Sequence, residues 1–135
     1  MKITKDYEGL RRLENGDYVL DGNLISDEDI EIELDDRLIV QGIIESKKNI
    51  ISNVSLIVKF GIEAGLGIKA GWGIEAGEGI QAGWDIIAKT YLSAGKRIFA
   101  GTSIYRTSED SDQTIRCEEL RSGEICYGEL IITKK

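Results

Sequence analysis

The chain has no histidine, no proline, two cysteines and one methionine among its 135 residues. Each shortage excludes something. Without histidine, the commonest general base and the usual metal ligand are missing, and so are the nucleophilic dyads and triads built on them. Without proline there are no Pro-rich linkers or tails. No run approaches the roughly 18 apolar residues of a membrane-spanning helix. The opening MKITKDYEGLRRLENGD is polar, which argues against a secretory signal. Cys117 and Cys126 in a chain of this kind point to a reduced, cytoplasmic protein, with both side chains as small packing residues rather than a disulfide or reactive thiols.

Charge is present but unevenly placed. The net charge is −7. Residues 1–36 carry 12 acids against four bases, residues 37–106 five acids against nine bases, and residues 107–135 seven acids against four bases. A mildly basic body therefore lies between two acidic ends. Overall acidity makes direct nucleic-acid binding a poor expectation, because phosphate is repelled except at local patches. Lys47, Lys48, Lys59, Lys69, Lys89, Lys96 and Arg97 supply the body's positive charge, either as solvated edges or as a phosphate-binding stripe.

What the chain does have is a repeat. From Phe60 to Asp85 it reads FGIEAGLGIKAGWGIEAGEGIQAGWD, with Gly-Ile-x-Ala-Gly-x begun at 61, 67, 73 and 79. Sixes run back from Ile62 through Leu56, Ile50, Ile44, Leu38 and Ile32, past Ser26, to Leu20. They run forward through Ile68, Ile74, Ile80, Ile86, Leu92 and Ile98 to Ile104. Two places later stands a second series, Leu34, Val40, Ser46, Ser52, Val58, then alanine at 64, 70, 76, 82, 88, 94 and 100. Such self-similarity marks a repeat architecture. Six residues turn a helix by about 600°, so a helix cannot keep this series on one face. Short strands with corners can. Residues two apart share a strand face, and glycine at a corner permits positive φ or close backbone approach.

The fold class expected is therefore all-β: a single-stranded parallel β-helix of about four triangular 18-residue coils over residues 32–106. Stacking at eighteen sets Trp84 over Leu66 and Gln81 over Glu63, whereas a flattened coil of twelve would set Glu63 on Glu75. Residues 1–31 are expected to be an N-terminal cap with the first strands. Within them, Tyr7–Leu13 is a short helical candidate and Tyr18–Leu20 a strand. Residues 107–135, beginning with the polar TSEDSDQ, are expected to cap the C-terminal end as a β-hairpin of Thr114–Leu120 and Ile125–Ile132. The whole chain is one domain.

The spacing resembles the hexapeptide-repeat β-helix proteins, which include left-handed acyltransferases and right-handed, polymer-forming bactofilins. The acyltransferase pattern places a small residue four after the aliphatic one, where this chain has Leu66, Trp72, Glu78 and Trp84. Here the small residue comes two after, which favours a right-handed, bactofilin-like coil. The acyltransferase resemblance also implies a catalytic histidine, and this chain has none. The Gly-Ile-x-Ala-Gly phrase is similar to that of repeat proteins of Firmicute phages and prophages. That resemblance implies an anti-defence, anti-CRISPR-like inhibitor.

Candidate sites follow from the outward positions. Trp72 and Trp84 stand just after corner glycines, and with Phe60, Leu66, Glu78, Phe99 and Tyr105 they form a candidate apolar interface ridge. In DEDIEIELDD, Ile30, Ile32 and Leu34 alternate with Asp29, Glu31, Glu33 and Asp35. These four acids are a candidate acidic face for a basic partner; without EF-hand spacing they read as a solvated strand rather than a metal site. Glu63, Glu75, Glu78 and Asp85 would be the carboxylates of a carbohydrate-active β-helix. No phosphate-binding loop is present, and no cofactor or metal is expected. The reading is a non-enzymatic interaction module whose partner is a protein, such as a host nuclease or defence complex, and which self-associates, most simply as a dimer. The alternatives are a bactofilin-like polymer subunit and a carbohydrate-binding or carbohydrate-active β-helix.

Overall fold

The structure is a computed structural model and describes residues 1–102 and 113–133. The described residues form eighteen strands and no α-helix. Six consecutive hexads show why. β9 (Leu56–Val58), β10 (Ile62–Ala64), β11 (Ile68–Ala70), β12 (Ile74–Ala76), β13 (Ile80–Ala82) and β14 (Ile86–Ala88) each bury their first and third residues and turn the middle one outward. Three residues suffice for one inward pair, and the next three make the corner.

Pairing is parallel with an eighteen-residue step: Ile62 lies against Ile44 and Ile80, and Ile74 against Leu56. This register establishes the three-sided coil and rules out the twelve-residue one. One face holds β3 (Tyr18–Leu20), β6 (Leu38–Val40), β9, β12 and the start of β15 (Tyr91–Ala100). A second holds β4 (Leu24–Ser26), β7 (Ile44–Ser46), β10, β13 and the end of β15. The third holds β1 (Lys2–Ile3), β5 (Ile30–Ile32), β8 (Ile50–Ser52), β11, β14, β16 (Thr114–Cys117) and β18 (Glu129–Ile132). The last strand to place, β17 (Glu119–Tyr127), pairs along all of β15 and so spans the first two faces. The result is a parallel β-solenoid of about 6 turns. The expected four coils undercount it, because turns at both ends lie outside the expected 32–106 repeat.

The core is a column of large aliphatics at the first position and smaller residues at the third. Leu38, Ile44, Ile50, Leu56, Ile74 and Ile98 are fully buried. Repeat glycines sit where rungs touch. A Cβ at Gly65, Gly71 or Gly77 would press into the carbonyl oxygen of Lys47, Asn53 or Lys59 one rung earlier. None of these three has positive φ, so close approach, rather than conformational freedom, is what requires glycine there.

Four expectations need correction. Tyr7–Leu13 is not helical. Gly9 takes a φ of 90°, and β2 (Leu10–Arg12) instead pairs antiparallel with β3; a helix this short has too few hydrogen bonds to offset nucleation. Next, the six-residue frame slips before Leu38. Tyr18, Leu24 and Ile30 pair with Leu38, Ile44 and Ile50, a step of twenty. Leu20 and Ile32 therefore occupy third positions, and Leu34 fills an enlarged corner. The run Ile30, Ile32, Leu34 fits both frames equally, which hides the slip. The C-terminal strands are not a hairpin: β17 pairs parallel with β15, and β18 parallel with β16. They extend the solenoid by another rung. Finally, the cysteines are free, but only Cys117 is buried; Cys126 is exposed on β17. No helix among the described residues is long and apolar enough to cross a membrane.

Candidate functional site

A rigid coil displays chemistry through its outward ladders, in which equivalent residues of successive rungs stack about 4.8 Å apart. The ladder just before each strand proves decisive. On the first face it runs Arg37, Ser55, Gly73, Tyr91; on the second, Ile43, Gly61, Gly79, Arg97; on the third, Asn49, Gly67, Asp85. A glycine in this ladder leaves a notch. The first-face notch is filled, since the Tyr91 ring occupies the space a Cβ on Gly73 would need. Arg121 in turn stacks on that ring at 4.0 Å. Burial, and then the charge of Glu75, pushes the Tyr91 phenol above its ordinary value. The third-face notch is a single glycine wide and holds about 270 Å³.

The second face is different, because two glycines follow one another. Gly61 and Gly79 leave an open groove of about 840 Å³ between Ile43 and Arg97. One wall is the middle-position ladder Glu45, Glu63, Gln81 and Phe99. Glu45 and Glu63 face each other across adjacent strands, and neither has an ion-pair partner among the described residues. The far end is basic, with Lys96 and Arg97. Lys96 lies 3.9 Å from Glu78, and Arg97 is in register with Glu124 of the next rung. The groove thus offers two unpaired carboxylates, an amide and an aromatic ring in line, above a backbone floor. It contains neither a nucleophile–base pair nor a metal-binding group of three or more His, Cys, Asp or Glu.

The candidate ridge does not form as one surface. Residues six apart fall on successive corners of a three-sided coil, so only those eighteen apart stack. Phe60 lies beneath Glu78 on one corner, Leu66 beneath Trp84 on the second, and Trp72 beneath Thr90 on the third, as their backbone hydrogen bonds show. Trp72 is 54% exposed, with Lys89 Nζ 5.4 Å from its ring centroid. Lys59 covers Phe60 similarly. Trp84 is half-buried, and its Nε1 is buried without an acceptor among the described residues. Among the described candidates Phe99 alone lines the groove. Tyr105 lies outside the described residues.

Of the four acids of the candidate face only Glu31 lies within a strand, β5, and the others flank it and are largely engaged. Asp29 accepts from the Asn49 backbone N–H at 3.0 Å, Glu33 pairs with Lys2 at 3.4 Å, and Asp35 accepts from the Tyr18 hydroxyl at 2.6 Å. Arg12 bridges Asp35 and Asp36. The Tyr18 hydrogen bond, with help from Arg12, holds the Asp35 carboxyl below its ordinary value. Glu31 is in register with Lys2. Glu33 and Asp35 thus tie the first rung to Lys2 and Arg12 of the segment before it, whereas Asp29 ties it to the rung after. Of the carbohydrate-enzyme carboxylates, Glu63 is on the second face and Glu75 on the first, with Glu78 and Asp85 at corners, so they do not converge. Sequence reasoning set Gln81 over Glu63, as the register shows, but missed Glu45 on the other side of Glu63 and the groove that these residues border. The signal available for them was the consecutive glycines at one phase of the eighteen-residue turn.

No protein-family model, no curated protein and no solved structure matches this chain.

Proposed function

We propose that the protein is a non-enzymatic binding module that holds an extended, basic segment of a partner protein in the second-face groove. The observation that carries this reading is the pair of unpaired carboxylates, Glu45 and Glu63, beside the Gly61–Gly79 gap. A lysine or arginine side chain laid across the gap would meet both carboxylates, with the Phe99 ring available for a cation–π contact. Lys96 and Arg97 at the far end would receive an acidic residue of the same segment. Electrostatic matching of this kind contributes on-rate and partner choice.

A nuclease or other nucleic-acid-handling complex is a partner of suitable chemistry, since such proteins expose lysine and arginine for phosphate and an acidic chain competes for them. The anti-defence role and a right-handed winding belong to this proposal through the resemblance to phage repeat proteins and bactofilins. The test is capture from a host lysate by wild type, by Glu45→Lys/Glu63→Lys, and by Trp72→Ala. A captured protein should be lost with the double charge reversal and retained with Trp72→Ala. Retention by the charge-reversed variant would overturn the groove as the binding site.

A further inference from the structure

The two ends of the solenoid are built differently. At the N-terminal end the inward residues of the first rung are covered: Tyr18, Leu24 and Ile30 are 3%, 1% and 0% exposed. β1 pairs with β5 and the antiparallel β2 with β3, and Tyr7 and Leu10 pack against the core. At the C-terminal end the last rung continues the same ladders, with Leu120 on Leu92, Ile125 on Ile98, Leu130 on Ile115 and Ile132 on Cys117. Among the described residues no further strand covers its inward side chains. Leu130 and Ile132 are 36% and 50% exposed, where Ile115 and Cys117 one rung earlier are both at 0%. Leu120 and Ile125 are only half-buried.

The backbone is open there too. Throughout the coil the first-position N–H donates to the following rung, as Ile62 does to Gly79 and Ile68 to Asp85. At Leu120, Ile125 and Leu130 that direction faces out of the stack. Soluble proteins usually protect such edges with lysine, proline or a cover. Among the described residues, β17 and β18 contain neither lysine nor proline.

We propose that this uncovered rung is a dimer interface on which the same rung of a second copy stacks about a two-fold axis. A surface that combines three strand edges with a triangular apolar centre is matched by another rung of the same coil. The N-terminal end cannot supply that rung in full, because β1 and β2 already pair with two of its three strands, β5 and β3, and leave only β4 open. Only the C-terminal end of another molecule remains, and such a contact is isologous and closed. A two-fold through the corner at Gly123 sets the two halves of β17 antiparallel to each other across the copies. It also pairs β18 with itself. Centred on Ile131, that pairing puts Leu130 of one copy over Ile132 of the other and continues the aliphatic column without a break. The groove opens on the side of the coil and meets this rung only at its far end, where Gly123 and Glu124 line it.

The experiment is sedimentation equilibrium across a wide concentration range, with circular dichroism to confirm the fold. Wild type should approach a dimer and stop. Ile132→Lys and Leu130→Lys should each weaken the dimer by roughly tenfold or more. Ile51→Lys, at an isoleucine 42% exposed on the third face away from the end, should leave the mass unchanged. A monomeric wild type would overturn the proposal, as would association that survives both end substitutions. A spin label on the exposed Cys126 tests the geometry without touching the core. A two-fold contact places the two labels within about 20 Å, whereas head-to-tail stacking separates them by the whole solenoid, about 6 rungs at about 4.8 Å, or roughly 30 Å. The longer distance, or growth beyond a dimer, would replace the two-fold with a polymer.

Discussion

At the residue scale, Tyr18 and Ile74 show how differently one position can contribute. Tyr18 is 3% exposed, and its hydroxyl donates to Asp35 Oδ1 at 2.6 Å. That bond lowers the Asp35 carboxyl below its ordinary 3.8. A depressed carboxylate contributes stability that is present above its unfolded value and is lost as pH falls through the folded one. Tyr18→Phe should therefore destabilise the protein at neutral pH, and the gap to wild type should close as pH drops below about 4. Urea titrations of both proteins across that range check it; a gap independent of pH would assign the effect to packing alone. Ile74 is different, being fully buried between Leu56 and Leu92. Ile74→Ala should cost about 2–5 kcal/mol by urea denaturation, because its neighbours are held by ladder hydrogen bonds and cannot collapse into the hole.

At the element scale, the hexad is too short to be stable alone, and its meaning comes from what stacks on it. The three-residue strands were legible in the sequence because the inward pair recurs without interruption from Leu38 to Ala100. The corner glycines were legible as corners. Which of the two roles, positive φ or close backbone approach, they play was not, because closeness to the carbonyl of another rung is a relation between residues eighteen apart. The same holds for the aromatic candidates. Trp72 and Trp84 look like one ridge when read along the chain, and the turn angle of the coil sends them to different corners. Conversely, Glu45 and Phe99 look unrelated along the chain to the stacked pair Glu63 and Gln81, and all four become one wall.

At the scale of the whole molecule, the stack is quasi-one-dimensional, so each rung is stabilised by its immediate neighbours. Central rungs have two and the last has one. Amide hydrogen exchange should be slowest in β9 to β13 and fastest in β17 and β18. With the dimer proposed above, protection of β17 and β18 should rise with protein concentration while that of β10 stays constant. Uniform protection along the chain would indicate a fully cooperative unit instead.

The sequence by itself determined the class of fold, the six-residue side, and which residues face the core, because these depend on local alternation and on corners that recur at fixed spacing. It also determined that histidine chemistry is unavailable. The tertiary structure decided the rest: the two-residue slip before Leu38, the parallel course of the C-terminal strands, the separation of the tryptophans and the groove over Gly61 and Gly79. Each of these depends on the register between rungs. Register is set by how one turn packs on the next, and no single hexad contains it.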